Sequence, residues 1–330
     1  MEKFRALVAE EKENGMELNI KEWTREDLPP GDVTIRVQYS SVNFKDGLAT
    51  VKGGGVVRKY PMIPGIDLAG RVLASDDSRF KEGDEVLVTG YELGVSHFGG
   101  YSELARVPAD WIVPLPKGLN LKDAMAVGTA GFTAALSIDR LEEHGMRPDR
   151  GPVLVTGATG GVGSCSVAML QKLGYSVTAS TRSGDPEGLL KKLGAREVIF
   201  PEELSNPKKK ALLKQRWQAA IDPVAGHYLP VILASIQYGG SVALSGLTAG
   251  NRFETTVYPF ILRGVSLLGI DSVFCPMEKR RVIWERISGE MRPDSLFRTM
   301  VREISLDEVP QTLQSILKGD TVGRIIVKIG

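Results

Sequence analysis

Apolar residues change their spacing between Gly151 and Gly174. Val153, Leu154 and Val155 form a short continuous apolar run, which predicts a parallel strand covered on both faces. Gly157, Gly160, Gly161 and Gly163 follow as a turn, and Val162, Met169, Leu170 and Leu173 then recur at helical spacing. Gly174 closes that helix, at a position that favours the left-handed conformation. The same alternation continues downstream. Strands are expected at Ser176–Thr181, Glu197–Phe200, Ala219–Asp222, Gly240–Ser245 and Ser266–Ile270, with helices over 187–193 (ended by Gly194) and Leu229–Ile236. Strands alternating with helices predict an α/β fold with a doubly wound parallel sheet.

Before Asp123 the pattern differs. Val33, Ile35 and Val37 alternate with Thr34, Arg36 and Gln38 after the turn Pro29-Pro30-Gly31-Asp32, as in a half-buried strand. Glu85–Val88 is a further short β run and Asp110–Val113 leads to Pro114 and Pro116, so this half reads as a small, mostly β domain with irregular loops. A helical pattern covers Ala124–Leu141. After Pro293 the chain returns to short β-like pieces ending in Gly323–Ile329, and that tail is expected to rejoin the first domain.

Composition narrows the function. The 330 residues, 42% hydrophobic and 25% charged, suit two globular domains. A net charge of +1 gives no reason to expect nucleic acid or an anionic membrane as partner. The exposed run Pro207-Lys208-Lys209-Lys210 reads as a solvated face. Two distant cysteines, Cys165 and Cys275, exclude a disulfide framework and a four-cysteine zinc site. Acidic residues in MEKFRALVAEEKENG occupy the place of a signal peptide's apolar core, so the expectation is a cytoplasmic protein.

The glycine turn carries the first chemistry. Ala158, Gly160 and Gly163 stand at the spacing of the three glycines of the Rossmann dinucleotide fingerprint, between a strand and a helix as that motif requires. Small residues let the backbone approach a pyrophosphate, and the helix N-terminus offers N–H donors. Gly157, Ala158, Thr159, Gly160, Gly161 and Val162 are therefore the expected cradle. At the end of the next strand an acidic residue would select NAD. The chain has Ser180-Thr181-Arg182 there, two hydroxyls and a guanidinium suited to a 2′-phosphate. NADPH is the expected cofactor.

The order of β domain, dinucleotide domain and returning tail resembles the medium-chain dehydrogenase/reductase superfamily over essentially the whole chain. The supporting motifs are Pro64-Gly65-Ile66-Asp67-Leu68-Ala69-Gly70, Gly99-Gly100-Tyr101-Ser102-Glu103, Gly128-Thr129-Ala130-Gly131-Phe132-Thr133-Ala134 and the AxGxxG turn. The resemblance implies a Rossmann domain over 123–294 and a GroES-like domain formed by 1–122 with 295–330. Zinc-dependent members have a cysteine near Asn43 and a His-Glu pair near Ile66-Asp67, whereas the three histidines here lie scattered at 97, 144 and 227. Zinc requires such ligands held together, so the likeness is to zinc-free members, which reduce quinones or conjugated carbon–carbon bonds. Ser40–Asp46, Tyr60–Asp67 and Thr255–Arg263 resemble the acryloyl-CoA reductase group, with Phe44 where that group has tyrosine.

The resemblance implies an NADPH-dependent reductase of an enoyl thioester, with a small-molecule substrate and a homodimeric state. Val265–Gly269 is the expected intersubunit edge strand. It implies catalytic roles for Asn43 and Asp46, which equally suit turn and cap chemistry. It implies cofactor contacts at Phe44, Thr129, Leu247, Ile261, Ser272 and Arg324. His97 and Tyr91 are weaker candidates for proton donation, and Lys52, Arg58 and Lys59 flank a glycine loop suited to CoA phosphates or to plain solvation. Two other functions stay open: a quinone or alkenal/alkenone reductase, and a non-catalytic NADPH-binding protein of the crystallin type.

Overall fold

The computed structural model describes residues 3–182, 185 and 188–330. The chain forms two units, Met1–Thr129 with Val273–Val282 and Val301–Gly330, and Ala130–Ser272 with Ile283–Met300.

The first unit is built on a seven-stranded sheet. Its strands run in the order Val301–Ser305, Arg324–Lys328, Val33–Ser41, Asp67–Ser75, Glu85–Thr89 and Val113–Pro114, and Leu104–Val107 also pairs with Val33–Ser41. Val33, Ile35 and Val37 point into the core with Leu68, Val72, Val86 and Val88, as the period-2 pattern requires. Thr34 is buried too, and its hydroxyl accepts from Arg106 Nε at 3.5 Å. Lys3–Lys12 and Gly15–Thr24 form a separate antiparallel hairpin.

The second unit holds a parallel sheet ordered Glu197–Ile199, Val177–Ser180, Val153–Val155, Trp217–Asp222, Ile236–Leu244 and Ser266–Gly269. Chain order therefore reverses between Val153–Val155 and Trp217–Asp222. In open sheets of this kind, ligands bind beyond the strand ends at such a reversal. Leu154, Trp217, Ala220, Ile232, Leu233 and Val242 fill the core around these strands.

Two features differ from the sequence reading. The tail is half helical: Asp294–Thr299 and Val309–Lys318 are helices, and only Val301–Ser305 and Arg324–Lys328 are strands. Val309 and Leu313 of the second helix pack with Leu7, Ile304 and Val327, on the i, i+4 spacing of a helix face. The unit boundaries also lie elsewhere than at 122/123 and 294/295, and 273–282 goes with the first unit. Hydrogen bonds explain both shifts. Ala126 O accepts from Arg324 Nε at 2.9 Å, Tyr91 N–H donates to Val273 O at 3.0 Å, and Arg280 Nη1 donates to Thr89 O at 2.8 Å. At the other end, Ser295 Oγ donates to Leu193 O at 3.5 Å within the second unit. The helix expected over 187–193 spans Leu189–Leu193, with Gly194 at φ 107° as its cap; residue 187 lies outside the described residues. Among the described residues no helix is long and apolar enough to cross a membrane.

Candidate active site

In the second unit the glycine turn takes the expected shape. The strand Val153–Val155 ends at Thr156, whose hydroxyl donates to Asp222 Oδ1 at 2.5 Å. The same oxygen accepts from the N–H groups of Val224 and Ala225, at 3.0 and 3.1 Å. Gly157 follows at φ 54°, which favours glycine. Ala158 N–H donates to Ser180 O at 3.0 Å, and Gly160 N–H returns to Gly157 O at 2.9 Å. The helix Gly161–Lys172 begins directly after Gly160. Its first internal bond runs from Ser164 N–H to Gly160 O, so the N–H groups of Gly161, Val162 and Gly163 precede the helical ladder. A Cβ on Gly163 would stand 2.2 Å from Gly157 O and 2.7 Å from Ala158 Cα. The glycine thus lets the helix lie directly against the turn. Donors at a bare helix start beside a sheet reversal fit a dinucleotide pyrophosphate.

At the strand end the expected trio separates. Ser180 and Thr181 are buried at 2% and 3% exposure, and Thr181 Oγ1 lies 3.0 Å from Thr159 Oγ1. Only Arg182 is exposed. The two hydroxyls are therefore internal supports of the turn, and the guanidinium alone reaches the surface. Asp185 does not compete for a ribose: its oxygens accept from the N–H groups of Leu190 and Lys191, at 2.7 and 3.2 Å. Leu247 and Ile261 are largely exposed apolar side chains, and Ser272 Oγ accepts from Thr133 Oγ1 at 2.8 Å.

The first unit gathers a second constellation around one residue the sequence reading gave no role, Asp67. Its carboxylate is fully buried and accepts from Ser41 Oγ at 2.5 Å, Asn43 Nδ2 at 2.8 Å, Thr129 N at 2.9 Å and Thr129 Oγ1 at 2.5 Å. Thr129 reaches it because the helix Leu121–Glu143 breaks at Gly128 (φ 51°, ψ −158°). There a Cβ would lie 2.6 Å from Asp67 Oδ2, 2.7 Å from Ser41 Oγ and 2.8 Å from Arg324 Nη2. Arg324 is 2% exposed. It donates to Ala126 O at 2.9 Å, Val42 O at 3.2 Å and Asn43 Oδ1 at 3.3 Å, and its Nη2 has no hydrogen-bond partner among the described residues. A guanidinium so enclosed braces Asn43 and the helix break.

Asn43 opens the short helix Phe44–Leu48. Asp46 holds its entry by accepting from Asn43 N at 2.9 Å and from Ile66 N at 2.9 Å. Burial, followed by the neighbouring Asp67 carboxylate, pushes the Asp46 carboxyl up to about 7, against the pull of those backbone donors. The cap chemistry weighed for Asn43 and Asp46 is thus present, and Asp46 is sealed from the surface. Phe44 is exposed at the helix start.

Tyr91 and His97 are held in a stack. Trp111 lies face to face with Tyr91 (centroids 5.7 Å apart) and edge-on to His97 at 5.2 Å. His97 Nε2 lies 2.7 Å from Arg106 O, and burial lowers its pKa. Lys52 forms an exposed ion pair with Glu11 at 3.2 Å. A catalytic zinc does not fit these residues. Among the described residues no three His, Cys, Asp or Glu side chains converge, and Asp67 is already occupied by hydroxyl and amide donors where a metal site needs imidazole or thiolate.

The chain matches two family models, the "Alcohol dehydrogenase GroES-like domain" over residues 29–117 and "Zinc-binding dehydrogenase" over 161–287. It is 56% identical, over 99% of both chains, to YhfP of Bacillus subtilis, which carries the provisional name of a quinone oxidoreductase. The crystal structure of that protein with NAD bound superposes with a TM-score of 0.97, covering 99% of this chain and 100% of that one. The acrylyl-CoA reductase AcuI of Ruegeria pomeroyi is 47% identical over 99% of both chains. Escherichia coli YhdH with bound NADPH gives a TM-score of 0.95 at 45% identity, over 98% of this chain and 100% of that one. Identity of this extent, on a shared fold, makes this protein an oxidoreductase of the medium-chain dehydrogenase/reductase superfamily.

Proposed function

We propose that this protein is an NADPH-dependent, zinc-independent reductase of a conjugated enoyl thioester of the acryloyl-CoA type, working as a homodimer. The observation that carries the reading is the Asp67 constellation. It fixes amide and hydroxyl donors around a buried carboxylate, in a place without metal-type ligands. Reduction of an enoyl thioester requires a donor beside the thioester oxygen, because charge develops there as hydride adds to the β-carbon. The Ser41 and Thr129 hydroxyls are spent on Asp67, and the Asn43 amide held by the same carboxylate is the candidate.

Bound NADPH supplies that hydride from its C4 position. The backbone N–H groups at 161–163 hold the pyrophosphate, and Arg182 receives the 2′-phosphate. The electron pair of the carbon–carbon bond moves to the thioester oxygen as an enolate, and a proton then adds at the α-carbon. Asn43 is the proposed donor to that oxygen. Its Nδ2 donates to Asp67 at 2.8 Å, which fixes the plane of the amide, and its remaining contact, a long one to Ser41 Oγ at 3.4 Å, is the one it would give up to donate. Arg324 on Asn43 Oδ1 fixes which end of the amide is nitrogen. Asp46 acts as a positioning residue through Asn43 N and Ile66 N, since a fully buried carboxyl cannot meet substrate.

Quinone reduction is the second reading, favoured by the name and high identity of YhfP. Oxidation of NADPH against acryloyl-CoA, longer enoyl-CoA esters, enals and a benzoquinone separates the two. Acryloyl-CoA is expected to be the best acceptor by at least about tenfold in kcat/KM. Turnover of the quinone alone would replace the reading with the second one. Tight NADPH binding without any turnover would make the protein non-catalytic. In the same assay NADPH is expected to outperform NADH, and Arg182→Glu to reverse that order. An unchanged order in the variant would remove Arg182 from the cofactor site.

A further inference from the structure

We propose that the first unit carries a separate site for the adenine nucleotide end of a CoA thioester. It is an open cavity of about 500 Å³ whose wall includes Tyr91, Trp111, Phe274, Met277, Arg79 and Arg281. This inference rests on reading the substrate as a CoA ester. The volume lies within the range of small-molecule sites.

One wall is rigidly built. Arg280 is fully buried and donates to Thr89 O at 2.8 Å, Thr89 Oγ1 at 3.0 Å and Val273 O at 3.1 Å. Its guanidinium lies 4.6 Å from the ring centre of Tyr91, and Trp111 stacks on Tyr91 with the rings 6° from parallel. Tyr91 itself is held at φ 52° by its N–H bond to Val273 O. Side-chain-bearing residues rarely adopt that conformation, and such strain concentrates at ligand sites. Guanidinium, phenol and indole thus form a fixed wall, with Trp111 half-buried against the core and His97. Phe274 is the exposed aromatic that lines the cavity. Purine rings stack on such aromatic faces.

The charges at the rim differ in availability. Arg79 is spent, forking Asp77 and reaching Asp110 at 2.7 Å. Arg281 is exposed, with no hydrogen bond or ion pair among the described residues. A guanidinium offers a bidentate fork that matches a phosphate. An aromatic face with a guanidinium on its rim that is unengaged among the described residues suits a charged nucleotide phosphate better than the neutral carbonyl oxygens of a quinone.

The test uses full-length protein saturated with NADPH, so that the dinucleotide site is filled. Adenosine 3′,5′-bisphosphate is titrated by calorimetry into the wild type, Arg281→Glu and Phe274→Ala. Acryloyl-CoA is compared kinetically with acryloyl-pantetheine, which lacks the nucleotide. The expected result is bisphosphate binding to the wild type that is lost in Arg281→Glu. That variant should raise KM for acryloyl-CoA about tenfold, the scale of one charge-assisted contact, with kcat and the pantetheine ester unaffected. Phe274→Ala should act in the same direction. Equal effects on both esters, or bisphosphate binding indifferent to Arg281, would overturn the site. If the wild type reduces neither ester, the substrate reading fails and the titration alone decides: binding that depends on Arg281 sustains a nucleotide site, and absence of binding overturns it.

Discussion

Asp46 shows how far a single buried group can set the behaviour of this protein. Its carboxyl is fully enclosed, close enough to Asp67 to feel that charge, and titrates near 7 where the unfolded chain would have it near 3.8. A folded pKa above the unfolded one means that the native state binds the proton more tightly. The stabilisation is complete below about pH 4 and is lost as pH rises through 7. Between pH 5 and pH 8 the unfolding free energy should fall by on the order of 2 kcal/mol from this group. Asp46→Asn removes the titration and turns an amide NH₂ toward one of the backbone donors at Asn43 or Ile66. The variant should therefore be weaker by about 1–3 kcal/mol at pH 5 and lack this part of the decline toward pH 8. Urea unfolding of both proteins at the two pH values checks it, and parallel pH profiles would contradict it. Asp67, in contact with the same network, was not recognisable in the sequence. Its partners Ser41, Asn43 and Thr129 come from three separate segments, and no local spacing connects them. Only its place in the Pro64–Gly70 motif marked it.

Among the elements, the strand–turn–helix at 153–172 was the most legible. Its determinants are local: an apolar run, small residues at fixed spacing and a glycine stop. The helix Val309–Lys318 carries an equally local signal in Val309, Leu313 and Ile316, beside the stronger β pattern of the strand that ends the chain. The break at Gly128 was not visible, because its cause is the approach of Asp67, Ser41 and Arg324 from elsewhere in the fold. The turn itself allows a sharp test. Both atoms facing the missing Cβ of Gly163 at closest range belong to backbone, so neither can swing aside. Gly163→Ala should cost about 1–3 kcal/mol by overpacking and weaken NADPH binding, since the helix start must move off the turn. Gly330→Ala, where a Cβ meets only Val37 O at an ordinary 3.5 Å and φ is ordinary, should stay within about 0.5 kcal/mol of wild type. Thermal unfolding and NADPH titration of the pair measure both effects. Equal stability and affinity in the two variants would mean that the turn does not depend on that contact.

For the molecule as a whole, the sheet of the second unit leaves one matter open at its end. The strand Ser266–Gly269 pairs with Ile236–Leu244 on one side, and its other edge meets no strand among the described residues. Proteins commonly blunt such edges with charge, proline or a bulge, yet the sequence here is Ser-Leu-Leu-Gly. Tyr238, Val257, Tyr258, Ile261 and Leu262 add exposed apolar side chains in the same unit. Ile261 then has two competing claims, as a cofactor neighbour and as part of this face. An unprotected edge with apolar surface in its unit is satisfied by a second copy of itself, since a two-fold axis presents the same strand to its mate. The protein should therefore run in light scattering at twice its chain mass of 35.8 kDa. Val257→Asp with Leu262→Asp, both exposed and outside the core, should shift it to the single-chain mass while leaving its far-UV circular dichroism unchanged. A wild type that stays at single-chain mass across the micromolar range would show that the edge is tolerated bare. A double variant that remains paired would move the contact to another face.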